Sequence, residues 1–322
     1  MCTAISFHTK DHYFGRNLDL EYRFEEQVVI TPRRFPFSFR HAPAVAQHPA
    51  MIGIATVVDG YPLYYEAVNE YGVCMAGLNF PQNAHYFPLQ KDRDNITPFE
   101  LISWVLSQSK NMADVRALLS RISLLDEPFS AQYPLSPLHW MISVGSESLV
   151  AESMADGLHV CDNPVHVMTN NPPFAMQLWN LSSYMALSPV QPDNTAFPDI
   201  PLQPYSNGMG ALHLPGDWSS ASRFVRAAYT LHHASCGDTE EESVAQFFHM
   251  LDAVAMPRGC VQANGKPEIT VYSCCCNADR GVYYYTTYEN RAITAVDMHH
   301  AALDSSDLTD YPLETKPRIH TL

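Results

Sequence analysis

The first 25 residues lack the apolar segment of a secretory signal. They contain Lys10, Asp11, Arg16 and Asp19 instead, and no later stretch is apolar over the length that a membrane-spanning helix needs. We therefore expect a cytoplasmic protein that makes no stable association with membranes.

Basic clusters and metal-binding spacings are absent as well. Lys and Arg number 19 against 34 Asp and Glu, for a formal net charge of −15. No segment concentrates the cations, which argues against a nucleic-acid-binding role. None of the eight cysteines belongs to a CxxC pair, and no histidines accompany them at zinc spacing. We expect reduced thiols and no metal or organic cofactor.

Repeats, low-complexity tracts and linker-like segments are also missing, so residues 1–322 are predicted to form a single domain. Blocks of short strands alternate with pairs of helices. The clearest helices are predicted at 112–122, 174–184, 220–233 and 240–256, and a long loop at 188–215. Thr97 and Thr239, each followed three residues later by glutamate, predict capping boxes. This pattern favours an α+β fold of mostly antiparallel sheets covered by helices.

Among the residues that are present, Cys2 carries the most information. Removal of Met1 would give Cys2 a free α-amine beside its thiol. A free α-amine typically has a pKa of about 7.7–8.0 and a thiol one of about 8.5. The amine can therefore act as the base for the thiol, as N-terminal amines do for threonine nucleophiles. Cys2 is thus a candidate nucleophile that needs no histidine.

Arg16 and Asp19 follow the first strand and are predicted to return towards Cys2 if residues 2–9 and 12–19 form a hairpin. A guanidinium close to a thiol favours the thiolate, and a carboxylate can orient the α-amine. An ordinary surface ion pair is the competing interpretation of this spacing.

An ordered set of short motifs resembles the choloylglycine hydrolase family, which contains bile salt hydrolases and penicillin V acylases. The motifs span nearly the whole chain and are Met1-Cys2-Thr3-Ala4, Phe14-Gly15-Arg16-Asn17-Leu18-Asp19, Asn69-Glu70-Tyr71-Gly72, Ala76-Gly77-Leu78-Asn79-Phe80-Pro81, Met168-Thr169-Asn170-Asn171-Pro172, Leu214-Pro215-Gly216, Ser220-Ala221-Ser222-Arg223-Phe224-Val225-Arg226 and Tyr272-Ser273-Cys274. Asp19-Leu20-Glu21-Tyr22 resembles the bile salt hydrolase branch more than the acylase branch.

The resemblance implies the αββα four-layer sandwich of the N-terminal nucleophile hydrolases and a tendency to form tetramers. It also implies that Cys2 is the nucleophile, flanked by Arg16 and Asp19. Asn170 and Asn79 would then supply oxyanion donors, and Arg223 would close the polar network. By their sequence context alone, Asn170 suits a turn and Arg223 a helix surface.

The implied reaction is hydrolysis of glycine- or taurine-conjugated bile salts through a Cys2 acyl-enzyme. The predicted substrate-binding residues are Leu20, Tyr22, Phe24, Met51, Ile54, Tyr61, Leu63, Tyr65, Phe80 and the head-group candidate Asn207. Leu20, Met51 and Leu63 are expected nearest the steroid, whereas core packing competes for Ile54 and Tyr65. The alternatives are a penicillin V acylase and a catalytically silent bile-salt-binding protein that keeps Met1.

Overall fold

The computed structural model describes all of residues 1–322. The strands are β1 (Cys2–His8), β2 (His12–Leu20), β3 (Gln27–Thr31), β4 (Met51–Val58), β5 (Tyr61–Asn69), β6 (Cys74–Asn79), β7 (Asp94–Ile96), β8 (Ile122–Leu124), β9 (Leu138–Val144), β10 (Glu147–Met154), β11 (Gly157–Asp162), β12 (Val167–Met168), β13 (Gln262–Ala263), β14 (Lys266–Pro267), β15 (Ile269–Asn277), β16 (Val282–Thr287), β17 (Thr294–Asp297) and β18 (Thr309–Pro312).

The α-helices are α1 (Leu101–Leu106), α2 (Met112–Leu119), α3 (Phe174–Asn180), α4 (Ser220–His233) and α5 (Glu240–Asp252), and short 3₁₀ segments occupy Leu181–Tyr184, Met209–Ala211 and Met298–His300. No helix has the length and apolar character that crossing a membrane requires.

Two antiparallel sheets face each other and carry helices on their outer sides. One sheet has the strand order β12-β1-β2-β15-β16-β17, and the other has the order β11-β10-β9-β6-β5-β4-β3-β18. Helices α4 and α5 pack on β1 and β15, whereas α1 packs on β5 and β6. Strands β1 and β2 contact β6 across the gap between the sheets. This arrangement confirms the predicted αββα sandwich.

Two separate hydrophobic cores follow from these layers. One core fills the space between the sheets and beneath α4 and α5, and it includes Cys2. The other core lies between the eight-stranded sheet and helices α1 and α2. Because alternate residues of a strand face opposite sides, strands of the eight-stranded sheet contribute to both cores.

The two predicted capping boxes have different outcomes. Thr239 caps α5 with both reciprocal bonds to Glu242, as predicted. At α1, the Thr97 hydroxyl and amide both donate to the Glu100 carboxylate, so the hydroxyl is not accepting a backbone N–H. The helix therefore begins only at Leu101.

The β1–β2 hairpin sets the geometry of the candidate site. Its register pairs Cys2 with Leu18 and Ala4 with Arg16. Directly opposed residues share a face of the sheet, so the side chains of Cys2, Arg16 and Leu18 face the second sheet. The side chain of Asp19 faces the helix layer, where Arg223 of α4 approaches it.

Candidate active site

Cys2 is the first residue of β1 and is 3% exposed. On its other side β1 pairs with β12, which ends at Met168. The chain leaving β12 therefore passes beside the start of β1, which places Asn170 next to Cys2. The Cys2 amide donates to Asn170 Oδ1 at 2.8 Å.

Asn170 is held in one orientation by its three partners. Its Oδ1 also accepts from Arg223 Nη2 at 2.8 Å, and its Nδ2 donates to the main-chain oxygen of Asn79 at 2.6 Å. With two donors facing Oδ1, only the Nδ2 side can face the Asn79 carbonyl. One Nδ2 hydrogen is used in that bond, which leaves the other free to donate to a ligand.

Arg223 connects helix α4 to strand β1 and to the loop that carries Asn170. Its Nη1 donates to the Cys2 carbonyl and to Thr3 Oγ1, and its Nε donates to the Trp218 carbonyl at 3.0 Å. Burial lowers the pKa of the Arg223 guanidinium, while the charges of Asp19, Cys2 and Glu268 oppose that shift.

Asp19 has a buried carboxylate on the side of its sheet that faces the helices, near Arg223. Thr270 Oγ1 donates to Asp19 Oδ1 at 2.6 Å, but Asp19 Oδ2 has no hydrogen-bond partner. The nearest cation to Oδ2 is Arg223, whose Nη1 lies 3.9 Å away. The amino group of Met1 donates to the Asp19 carbonyl at 2.6 Å and pairs with Glu268.

Arg16 approaches Cys2 from the side between the sheets. Its Nη1 donates to the carbonyl oxygens of Gly77 at 2.5 Å and Tyr65 at 3.3 Å, while its buried Nη2 has no partner. Burial alone would lower the pKa of the guanidinium, but attraction to Cys2, Tyr272 and Glu66 outweighs burial and raises it.

The six predicted catalytic residues therefore converge, together with several neighbours that the sequence did not predict. Those neighbours are Glu66 beside Arg16, Tyr283 bonded to Glu66, Thr270 beside Asp19, and Glu268 at Met1. Glu66 carried a detectable signal, since it is the one charged residue of β5. Glu268 carried none, because its proximity arises only when β15 pairs with β2.

A buried pair of side chains, His139 and Glu152, supports the loop that carries Asn170. The ring of His139 bridges Glu152 Oε1 at 3.0 Å and the Thr169 carbonyl at 2.9 Å. Glu152 also accepts from the amide of Phe174 at 3.0 Å. Phe80 stacks on His139 with the ring centroids 4.2 Å apart. Phe80 is completely buried behind the loop, which corrects the expectation that it contacts the substrate.

The predicted apolar wall divides into two groups. Leu20 and Tyr65 pack against the core that contains Cys2, and Leu63 shares a face with Thr56, whose hydroxyl contacts Tyr65. Phe24 is half-buried, with its ring 6.3 Å from that of Tyr65. All four side chains are incompletely buried.

The other predicted wall residues are placed differently. Met51 belongs to the core under α1 and α2. It precedes Ile54 by an odd number of positions on the same strand, so its side chain lies on the opposite face from Ile54, which faces the other sheet. This corrects the expectation that Met51 contacts a steroid. Tyr61 packs on that same helix-side core, Ile54 is completely buried, and Tyr22 is 47% exposed.

The head-group candidate Asn207 lies in the exposed loop between α3 and α4. Its Oδ1 accepts weakly from Gln191 Nε2 at 3.4 Å, and the same Nε2 donates to the Ser206 carbonyl at 2.7 Å. These bonds join Asn207 to another residue of its own loop.

The arrangement combines a buried thiol, two guanidinium groups, a carboxylate with a free oxygen and an amide donor. Such a set can generate a thiolate, orient an amine and stabilise an oxyanion. These are the requirements of acyl transfer by a cysteine nucleophile. No three His, Cys, Asp or Glu side chains are grouped so that they could hold a metal ion.

Comparison with known proteins gives a consistent result at the level of sequence. The family model described as linear amide C–N hydrolases, choloylglycine hydrolase family, matches residues 2–311. A bile salt hydrolase/transferase from Lactiplantibacillus plantarum is 48% identical, with complete coverage of both chains. One with the same description from Clostridium perfringens is 35% identical and covers 97% of this chain and 96% of its own.

Solved structures extend the comparison to the fold. A variant of the conjugated bile acid hydrolase from Clostridium perfringens superposes with a TM-score of 0.92 at 33% identity and covers 100% of both chains. Penicillin V acylase from Agrobacterium tumefaciens superposes with a TM-score of 0.74 at 16% identity, covering 97% of this chain and 91% of its own. At that identity the acylase supports the fold alone.

Proposed function

Because the chain belongs to the choloylglycine hydrolase family of linear amide C–N hydrolases, we propose that it hydrolyses glycine- and taurine-conjugated bile salts through a Cys2 acyl-enzyme. The observation that carries this proposal is the convergence of Asn170 and Arg223 on Cys2: the Cys2 amide donates to Asn170 Oδ1, and Arg223 donates to the Cys2 carbonyl and to Asn170 Oδ1. The names of the full-length relatives support the substrate class.

The proposed mechanism begins with removal of Met1, which turns the Cys2 amide into an α-amine. The unpartnered Oδ2 of Asp19 is available to hold this amine, as is Oδ1 of Asn170. The amine takes the thiol proton, and Arg16 stabilises the resulting thiolate through its free Nη2. No other base is required.

The thiolate then attacks the amide carbonyl, and a sulfur–carbon bond forms. Asn170 Nδ2 and Asn79 donate to the oxyanion while the carbon–nitrogen bond breaks. The α-ammonium returns its proton to the departing glycine or taurine. Water, deprotonated by the same amine, hydrolyses the thioester and releases the free bile acid and the thiol.

Substrate selection follows from an apolar wall and an anionic head group. We assign Leu20, Phe24, Leu63 and Tyr65 to the wall, because each is incompletely buried and each lies on the Cys2 side of the sandwich. Asn207 remains the candidate for the head group.

Location and assembly are separate parts of the proposal. All eight cysteines are free thiols, which favours a reducing compartment such as the cytoplasm, and cell fractionation tests this. A homotetramer is favoured by exposed apolar side chains on α3 and the segment after it, where Trp179 and Met185 are 77% and 82% exposed.

The deciding experiment measures amine release from glycocholate, taurocholate and penicillin V side by side. We expect turnover of both bile salts well above that of penicillin V, in protein whose intact mass lacks Met1. Cys2→Ala should abolish turnover, and Cys260→Ala, which removes an exposed thiol, should leave it unchanged.

Each alternative gives a different outcome. Preferential hydrolysis of penicillin V would replace the proposed substrate by that of the acylases. Binding of bile salts without turnover, in protein that retains Met1, would indicate the silent binding protein. Full activity in protein that retains Met1 would refute the amine as base.

A further inference from the structure

A buried cluster behind Arg16 has no place in the mechanism derived so far. Glu66 of β5 is 2% exposed. Its Oε1 accepts from the Tyr283 hydroxyl at 2.6 Å, and its Oε2 accepts from the Tyr272 hydroxyl at 2.9 Å. Tyr272 and Tyr283 are themselves 0% and 1% exposed. Two strands of the six-stranded sheet therefore hold a carboxylate that the eight-stranded sheet supplies.

This carboxylate stands close to Arg16 without forming a hydrogen bond to it. The shortest separation, from Arg16 Nη1 to Glu66 Oε2, is 3.7 Å. Nη1 donates to the carbonyl oxygens of Gly77 and Tyr65 instead. Nη2 is buried and makes no bond. Both oxygens of Glu66 are thus occupied by tyrosines, and one edge of the guanidinium remains free.

The separation between Glu66 and Arg16 has an electrostatic consequence. A buried guanidinium needs a compensating charge, and Glu66 supplies one between the sheets. A bidentate pair would use both Nη atoms and compete with the Cys2 thiolate. A carboxylate restrained by two hydroxyls compensates the charge and leaves Nη2 available. Burial raises the pKa of Glu66, while Arg16 and the tyrosine hydroxyls oppose that rise.

We propose that Glu66, restrained by Tyr272 and Tyr283, is a positioning residue that tunes the Cys2 thiolate through Arg16. This inference rests on the proposed role of Cys2 as nucleophile, and it assigns a second layer to that site. The other titratable groups facing Arg16, Glu66 or Cys2 are Cys274 on β15, Tyr65 on β5, Asp19 on β2, Arg223 on α4 and Glu268 before β15.

The test is the pH dependence of Cys2 alkylation by iodoacetamide, read by peptide mapping so that other thiols do not contribute. Glu66→Gln keeps the shape and removes the charge that opposes Arg16. We expect the midpoint of the rate profile to move about one unit towards lower pH. Tyr272→Phe with Tyr283→Phe frees the carboxylate to close on Arg16, and we expect the midpoint to move towards higher pH.

Glu240→Gln is the matched control. Glu240 also accepts from a tyrosine, Tyr284 at 2.8 Å, and from an arginine, Arg280 at 3.0 Å, but it lies at the opposite end of the sheets from Cys2. Its midpoint should equal that of the wild type. An unchanged or raised midpoint in Glu66→Gln would overturn the proposal, even if the double tyrosine variant fails to fold. Alkylation needs no bile salt, so failure of the proposed function would appear separately, in the amine-release assay.

Discussion

At the scale of single residues, Asn170 serves structure and chemistry through opposite ends of one amide. Oδ1 accepts from the backbone of the nucleophile and from Arg223, while Nδ2 is anchored on Asn79 and keeps one hydrogen free. The family resemblance implies only the oxyanion-donor role for Asn170. The structure adds that its removal would leave two buried partners without hydrogen bonds.

We therefore predict two effects of Asn170→Ala. The value of kcat/KM for glycocholate should fall about a hundredfold or more through loss of the oxyanion donor. The free energy of unfolding should also fall by about 1–3 kcal/mol, because buried polar groups lose their partners. Steady-state kinetics and urea unfolding measure the two quantities.

Asn171→Ala provides the neighbouring control, since the Asn171 side chain donates only to the Pro81 carbonyl. It should change both quantities much less. If Asn171→Ala had the larger kinetic effect, the oxyanion would have been assigned to the wrong residue of the pair.

At the scale of elements, the predictable parts are those specified by local pattern. Helix α4 has the bounds expected from its sequence, and α5 begins at its capping box. The start of α1 was less predictable, because the Glu100 carboxylate attracts the Thr97 hydroxyl as well as its amide.

Contacts between side chains that are distant in sequence could be predicted only where the family motifs indicated them. Cys2, Arg16, Asp19, Asn79, Asn170 and Arg223 come together as the resemblance implied. Met51 does not join them. The alternation of side chains along the strand fixes the face on which Met51 lies, and its apolar character alone does not show which face that is. Glu66 and Tyr283 lie far apart in sequence and meet only when the sheets stack.

The loop between α3 and α4 is the element that we expect to affect head-group preference. Asn207 offers a neutral hydrogen bond, whereas an arginine would offer a charge-assisted bond to a sulfonate or carboxylate, which is about twice as strong. Taurine extends one methylene further than glycine, so its sulfonate should reach this loop more readily. We predict that the wild type accepts glycine conjugates at least as well as taurine conjugates.

Asn207→Arg should raise the ratio of kcat/KM for taurocholate over glycocholate by roughly threefold to tenfold. Gln203→Arg adds the same charge elsewhere on the exposed loop and should not change the ratio. A strong taurine preference in the wild type, or an unchanged ratio in Asn207→Arg, would remove this loop from the specificity argument.

At the scale of the whole molecule, a histidine cluster at the end opposite Cys2 should limit stability in acid. The rings of His8 and His12 stack at 4.5 Å, and His166 lies 6.4 Å from His8. Burial first, and then the charges of His8 and His166, lower the pKa of His12 to about 3. The hydroxyls of Ser6 and Ser143 contact its Nε2.

The sign of the pH effect follows from proton binding. Between about pH 3 and pH 6.5 the unfolded chain binds a proton at His12 and the folded protein does not. The contribution of His12 to the free energy of unfolding is therefore fully present above about pH 6.5 and is lost as the pH drops. One such histidine contributes about 1.4 kcal/mol per pH unit well inside that window. Urea unfolding at several pH values should give a shallower slope for His12→Gln than for the wild type. His320→Gln, at an exposed position, should keep the wild-type slope, and equal slopes in all three proteins would exclude this origin of acid lability.

Assembly is the remaining property of the whole molecule, and we expect it to depend on the apolar side chains of α3 and the following segment. A second copy is the occupant that we expect on this surface, since closed symmetric oligomers bury such patches against equivalent ones. Native mass spectrometry and light scattering should find a tetramer in the wild type. Trp179→Ser combined with Met185→Ser should dissociate it while leaving the circular dichroism of the fold unchanged. Ile319→Ser removes a side chain that is 86% exposed near the C-terminus and should leave the tetramer intact. A monomeric wild type, or a double variant that remains tetrameric, would show that this surface does not hold the assembly together.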